Sequence, residues 1–156
     1  MTTVTSRAEL LGEIRRTLQN AISPNYAVAA PGWSIYEVYN FCLVIEEARE
    51  AGANVAFLNS NNTPATSFTF RTRPSTITSV DTYTYALLSF SDKQPLEVHV
   101  GVFVSEKSME RLQCDVVVLH RCEADFFRRR RIRRSTGKPP RLWPDTIMVP
   151  VSWTGR

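Results

Sequence analysis

Several features that define familiar protein classes are scarce or missing from this chain. It has three cysteines without Cys-x-x-Cys spacing, which predicts reduced residues in apolar surroundings rather than a disulfide framework or a zinc site. No apolar run approaches ~20 residues, so no membrane span is expected. The N-terminus is polar and lacks the apolar stretch of a signal peptide. These absences predict a cytoplasmic protein without a membrane partner.

Three common functional motifs are also missing. The sequence shows no glycine-rich phosphate loop, no Ser-His-Asp arrangement with usable spacing and no aromatic RNA-stacking motif. What remains is a chain of 156 residues that is 43% hydrophobic. That size and composition predict one globular domain with enough apolar material for a core.

The charge is unevenly distributed along the chain. Residues 1–125 hold 10 Lys and Arg against 14 Asp and Glu, a balance of −4. Residues 126–156 hold 9 basic residues against Asp145 alone, a balance of +8. The sequence therefore predicts a single domain over 1–125 and a basic, Arg- and Pro-rich tail over 126–156. Such a tail indicates either a solvated arm or a nucleic-acid contact.

Two helices are predicted in the first third of the chain. Ser6 and Glu9 have the spacing of a capping box, followed by apolar residues at helical spacing as far as Ile22. A second capping-box pattern, Ser34 with Glu37, predicts a buried helix that runs to about residue 51. Glu37 falls within the apolar arc of this helix. Glu37 at this position is explained either by a capping interaction with Ser34 or by a functional role.

Strands are predicted at 54–58, 68–71 and 82–90, followed by a hairpin over 96–121. The order of elements predicts an α+β domain with a central mixed sheet. In the first hairpin strand, four valines occupy every second position and are expected on one face: Val98, Val100, Val102 and Val104. Glu97 and His99 are expected on the other. Three valines at 116–118 predict that the second strand is covered on both faces.

Asp115 directly precedes those valines. A carboxylate in a buried strand is costly unless it is paired or holds a metal. If the odd-numbered residues of both hairpin strands share a face, Glu97, His99 and Asp115 converge there. This cluster is the main site hypothesis that the residues alone provide.

The same segments resemble the restriction-endonuclease-like PD-(D/E)xK nuclease superfamily. The resemblance is carried by the helix with Glu37, by the strand Leu-Glu-Val-His-Val-Gly-Val and by Gln-Cys-Asp-Val-Val-Val-Leu. It covers roughly residues 36–134. It implies a restriction-endonuclease-like core and Mg²⁺-dependent hydrolysis of DNA, with Glu37, Glu97 and Asp115 as catalytic residues and with Asp115 and Glu97 at the metal.

The chain departs from the family pattern after Asp115. The family carries Glu-x-Lys on the next strand, whereas this sequence has no glutamate after Glu123. The resemblance therefore implies a truncated or frame-disrupted end, and it leaves open whether the domain is an active nuclease or an inactive descendant.

Each of these residues also has a structural interpretation. Asp115 could pair with Arg71 or Arg73, His99 could be a hydrogen-bonded sheet residue, and Glu97 could be a solvated strand start. Six arginines either continue a solvated helix or contact ~3–6 phosphates: Arg128, Arg129, Arg130, Arg131, Arg133 and Arg134. The alternative function is a non-catalytic module that binds nucleic acid or a protein through this basic segment.

Overall fold

Three helices and four strands make up the part of the chain that the structure describes. The computed structural model describes residues 6–18, 32–71, 74–77, 82–105 and 111–134, with backbone alone for 32–34, 105, 111 and 130–134. The elements follow in the order α1 (Arg7–Thr17), α2 (Gly32–Glu50), β1 (Asn54–Asn59), β2 (Thr84–Ser89), β3 (Leu96–Ser105), β4 (Arg111–His120) and α3 (Arg121–Arg134). The predicted α+β class is confirmed. None of these helices is both long and apolar enough to cross a membrane.

The strands form one sheet in the order β1-β2-β3-β4, and each is antiparallel to its neighbour. The predicted hairpin is confirmed, because β3 and β4 pair from Leu96 with His120 to Ser105 with Arg111. The predicted mixed sheet is wrong for the described strands. Ser75 and Val102 form an isolated parallel bridge outside these strand pairings.

Residues 68–71 do not form the predicted strand. They run beside the start of β2, where the Thr84 backbone N–H donates to the Thr69 carbonyl at 2.8 Å. The Thr69 N–H in turn donates to the Thr84 hydroxyl oxygen at 3.0 Å. Because a side chain replaces a backbone group in this exchange, the regular ladder does not continue.

Helix α1 begins at the predicted capping box. The Glu9 N–H donates to the Ser6 hydroxyl at 3.3 Å, and the Ser6 N–H donates to the Glu9 carboxylate at 2.6 Å. The helix ends at Thr17 rather than near Ile22, which lies outside the described residues. The Arg49 guanidinium donates to the Thr17 carbonyl at 3.1 Å and so ties the end of α1 to α2.

Helix α2 begins at Gly32, two residues earlier than the predicted cap. Ser34 therefore lies within the helix, Glu37 lies in its second turn, and the predicted capping box is wrong. The predicted end is confirmed: Gly52 has a φ of +86°. The N–H groups of Gly52 and Ala53 donate to the carbonyls of Arg49 and Ala48, both at 2.9 Å, in the Schellman pattern.

The helices cover both faces of the sheet. The larger core cluster joins α1 and α2 to one face and includes the buried residues Ile14, Phe41, Ile45, Leu88 and Val98. A smaller cluster on the other face contains Ile77, Val102 of β3 and Ala124 of α3. Burial of the larger cluster supplies the main apolar stabilisation of the fold.

The four valines of β3 do not share one face as predicted. Val98 and Val100 belong to the larger cluster, whereas Val102 and Val104 belong to the smaller one. Gly101 lies between the two pairs with a φ of +62°, a left-handed conformation that interrupts the regular alternation of a strand. Pairing with β4 is also interrupted there, between Val100–Val116 and Val102–Cys114.

Strand β4 is less buried than its apolar sequence suggests. It is the last strand of the described sheet, with β3 on one side. Val118 is 40% exposed, and Asp115 is exposed as well. The prediction that 116–118 is covered on both faces is therefore wrong, because β4 has an edge position in this part of the chain.

Candidate functional site

Glu97 lies at the centre of a closed polar cluster between the sheet and α3. Its side chain is fully buried. Arg128 of α3 donates from Nη1 to Oε1 at 3.0 Å and from Nη2 to Oε2 at 2.5 Å. The Nε2 atom of His99 lies 3.0 Å from Oε2. Both carboxylate oxygens are therefore hydrogen-bonded, and the guanidinium contact is bidentate.

Protonation in this cluster follows from burial and from the neighbouring charges. Burial lowers the pKa of His99, and the positive charges of Arg128 and Arg71 add to that effect. A neutral His99 donates from Nε2 to Glu97. Burial alone would raise the pKa of Glu97, but the hydrogen bonds from His99 and Arg128 and the positive charge of Arg128 outweigh it and lower that pKa. Glu97 is therefore an ionised carboxylate whose charge is balanced by Arg128.

Two aromatic rings enclose this cluster. The His99 ring stacks on Tyr85 with a centroid distance of 5.0 Å and an interplanar angle of 22°. The Arg128 guanidinium lies 5.0 Å from the centroid of the same ring. Arg71 covers the neighbouring Tyr83 at 3.4 Å. The packing leaves Glu97 surrounded by protein groups.

This geometry contradicts the predicted convergence of Glu97, His99 and Asp115. Glu97 and His99 are together, but their third partner is Arg128 instead of Asp115. A fully buried carboxylate that is already paired with a guanidinium is a poor ligand for a hydrated cation, because the cation would have to displace Arg128. The predicted metal and catalytic roles of Glu97 therefore have no support in this arrangement.

Asp115 instead interacts electrostatically with Glu37 of α2. Helix α2 packs against β3 and β4, and the interruption at Gly101 separates Asp115 from the pairing of Glu97 and His99. Burial, followed by the negative charge of Asp115, raises the pKa of half-buried Glu37 to about 7. Two of the residues predicted from the sequence, one on the helix and one on the strand, are therefore within electrostatic reach of one another.

A pair of neighbouring carboxylates has two ways to relieve its repulsion. One carboxyl can keep a proton, or the two can share a cation. Mg²⁺ is commonly held by one or two carboxylates, with water and substrate phosphates completing its coordination. The oxygen donors of Glu37 and Asp115 fit this chemistry. Within the described ranges no group of three or more His, Cys, Asp or Glu residues is placed to hold a metal ion.

Structural partners for the two carboxylates were also expected. Asp115 forms no ion pair within the described part of the chain. Arg71, one expected partner, donates to the Ser75 hydroxyl at 2.6 Å and to the Thr76 carbonyl at 3.1 Å. Arg73, the other, lies outside the described residues. Glu37 is not a capping residue either, since α2 begins earlier.

The predicted nucleic-acid residues divide into three groups. Arg128 is 15% exposed and bound to Glu97 and Asp125, so its predicted phosphate contact is not supported. Arg129 is exposed. The remaining four lie where only the backbone of α3 is described: Arg130, Arg131, Arg133 and Arg134.

Sequence reasoning missed the role of Arg128 because the residue stands inside an arginine run that appears uniformly solvated. It also missed Tyr85. A usable signal was present, because Tyr83 and Tyr85 alternate on one strand, as do Glu97 and His99 on the next.

Comparison of the chain with protein-family models, with curated proteins and with solved structures finds no match in any of the three.

Proposed function

We propose that this chain is a restriction-endonuclease-like domain in which Glu37 and Asp115 bind Mg²⁺ and a basic helix contacts DNA. The observation that carries the proposal is the electrostatic interaction between half-buried Glu37 on α2 and exposed Asp115 on β4, neither of which has an arginine or lysine partner among the described ion pairs. The resemblance assigns the same two positions, the helix glutamate and the strand aspartate, to the metal-dependent site.

The accessibility of the pair also supports this proposal. Asp115 is exposed and Glu37 is half-buried, so a hydrated cation and a phosphate group can approach from solvent. When bound, Mg²⁺ would stabilise the negative charge that develops at phosphorus. Glu37 and Asp115 would hold the ion through their carboxylate oxygens. The Glu-x-Lys pair of the family has no counterpart after Asp115, so no residue is assigned to activate the attacking water.

DNA is the partner that the charge distribution favours. The basic excess of the chain falls after residue 125, and helix α3 carries the first part of it. Arg129 on that helix is exposed. Basic side chains on a helix attract phosphates with an affinity that falls as salt concentration rises. The proposed cytoplasmic location is compatible with a DNA partner.

Cleavage of supercoiled plasmid in the presence of Mg²⁺ or Mn²⁺ tests the proposed reaction. The wild type is expected to nick the plasmid, and Asp115→Asn and Glu37→Gln are expected to lower the rate at least ~100-fold, since each removes a charged ligand. Asp92→Asn, which removes an exposed carboxylate from the β2–β3 turn, serves as the matched control. Equal nicking by the wild type and Asp115→Asn would contradict the proposal.

A non-catalytic DNA-binding module is the second candidate. It is favoured by the same exposed arginine on α3 and by the lack of a third acidic ligand near Glu37 and Asp115 in the described residues. In this case the wild type would bind a DNA duplex with strong salt dependence and would leave the plasmid intact with either metal.

A further inference from the structure

We infer that Glu97 is a positioning residue that docks the basic helix α3 onto the sheet and thereby orients it for a nucleic-acid partner. The inference rests on the DNA contact in the proposed function and goes beyond it. It assigns Glu97 a role that involves no metal and no reacting atom. It also makes Arg128 the connection between the sheet and the basic helix instead of a phosphate-binding residue.

Helix α3 has few other means of attachment among its described side chains. Among the described side chains of α3, Ala124 alone is fully buried, and it packs in the small cluster with Ile77 and Val102. Phe127 remains 39% exposed. An alanine contact buries little apolar area, so the paired charges of Glu97 and Arg128 become the main fixed contact between α3 and β3.

The geometry of that contact fixes orientation as well as distance. The two parallel hydrogen bonds hold the guanidinium in the plane of the carboxylate. Tyr85 packs against the guanidinium, and His99 holds the carboxylate from the other side. Because Arg128 is directed inward, the next residue of the helix, Arg129, is presented to solvent.

Asp125 supplies a matched control within the same cluster. Like Glu97, it contacts the Arg128 guanidinium, at 3.0 Å from Nη1. Unlike Glu97, it belongs to α3 itself and moves with the helix. Glu97→Gln and Asp125→Asn therefore remove one negative charge each beside the same arginine, and any general electrostatic effect on DNA affinity is equal in the two variants. Only Glu97→Gln weakens the link to the sheet.

The test combines amide hydrogen exchange with fluorescence anisotropy on a short labelled DNA duplex. In Glu97→Gln, we expect the amides of α3 to lose at least ~10-fold protection while those of α2 keep theirs. The same variant should bind the duplex ~10-fold more weakly, because the helix must be ordered on binding. Asp125→Asn should retain both properties within ~2-fold.

A double variant, Glu97→Met with Arg128→Met, separates docking from loss of the fold. An apolar pair of similar volume can replace a buried ion pair. It should restore α3 protection and recover DNA affinity to within ~3-fold of the wild type. Unchanged α3 protection in Glu97→Gln would overturn the inference. So would lost protection with unchanged or tighter DNA binding, or failure of the double variant to recover affinity.

The two proposals fail in distinguishable ways. If the wild type does not bind the duplex, the DNA contact of the proposed function is contradicted, and the positioning role is overturned with it. If the wild type binds and Glu97→Gln matches Asp125→Asn in affinity and protection, the positioning role alone is contradicted. The plasmid assay compares the wild type with Asp115→Asn, both of which retain Glu97 and Arg128, so it does not depend on the result for Glu97→Gln.

Discussion

Two acidic sites lie on opposite faces of the same sheet: Glu97 lies on the side of α3, and Glu37 with Asp115 lies on the side of α2. They differ in how the negative charge near the apolar core is balanced. Glu97 is fully buried and bound by Arg128 and His99. Glu37 is half-buried, and the negative charge of Asp115 adds to the effect of burial in raising the pKa of Glu37. The first arrangement is internally neutralised. In the second, repulsion between the two carboxylates destabilises the fold unless one of them is protonated or a cation binds.

This contrast separates a structural carboxylate from a candidate ligand. Glu97 is the more buried acid, whereas the sequence also allowed a solvated strand start there and placed the buried carboxylate at Asp115. The charge of Glu97 is balanced within the fold by Arg128, and His99 satisfies the same carboxylate. Glu37 and Asp115 have no such partner among the described residues, so they retain the capacity to bind something that is not part of the chain.

The largest effect is expected from breaking the neutralised site. Arg128→Ala leaves the Glu97 carboxylate buried without its cation, which should destabilise the protein by about 3–5 kcal/mol. Urea unfolding followed by far-UV circular dichroism measures the change. The same substitution at exposed Arg129 should change stability by less than ~0.5 kcal/mol. Similar losses for the two arginines would mean that the ion pair contributes no net stability.

A smaller effect on stability is expected at Gly101. This residue separates the β3 valines that pack in the larger cluster from those that pack in the smaller one. Gly101→Ala should destabilise by about 1–2 kcal/mol because its φ of +62° is unfavourable for a residue with a Cβ. Steric contact adds little, since the nearest heavy atom to the new Cβ would be 4.0 Å away. Thermal unfolding measures the loss.

Substitution of Gly12, the exposed glycine of α1, is expected to change stability in the opposite direction. Gly12→Ala meets no atom within 4 Å and should stabilise the protein by up to ~1 kcal/mol through helix propensity. If both glycine variants were stabilised, the left-handed conformation at Gly101 would have no energetic consequence, and another cause would be needed for the separation of the two faces.

The effect expected at Glu37 and Asp115 depends on pH. Burial and Asp115 raise the pKa of Glu37 from 4.5 in the unfolded chain to about 7 in the fold. The folded protein therefore holds a proton that the unfolded chain releases, and stability is lost as pH rises from 4.5 to 7. Glu37→Gln avoids this loss, so its melting temperature should exceed that of the wild type at pH 8 and approach it at pH 5.

Glu47→Gln provides the control for this pH dependence, because Glu47 is exposed on the same helix. Its melting-temperature difference from the wild type should not change between pH 5 and pH 8. Asp115→Asn should behave like Glu37→Gln in direction, since it removes the repulsion from the other side. A destabilised Glu37→Gln at pH 8 would show that the pair is not repulsive.

Much of the fold was predictable from local sequence signals. The capping box at Ser6, the glycine stop at Gly52 and the antiparallel hairpin of β3 and β4 are all observed. These features depend on residues close together in the chain, for which spacing and propensity are informative. The start of α2 was missed because Ser34 and Glu37 have capping-box spacing inside a longer helix.

The candidate site was predictable only in part. The resemblance named Glu37 and Asp115 among its catalytic residues, and the two interact electrostatically in the fold, but Asp115 was also expected beside Glu97. At Gly101, which has a left-handed backbone conformation, the valines of β3 switch from one face of the sheet to the other. The alternating sequence pattern does not predict this φ. The pairing of Glu97 with Arg128 joins positions 31 residues apart, and a run of arginines gives no signal for which one points inward.

The most direct test of the two-site account is calorimetric titration of Mn²⁺ at pH 8 into three proteins that are folded by circular dichroism: the wild type, Asp115→Asn and Glu97→Gln. The account predicts binding by the wild type and by Glu97→Gln, and a loss of at least ~10-fold in affinity for Asp115→Asn. The contradictory result is the reverse: undiminished binding by Asp115→Asn together with loss of binding in Glu97→Gln.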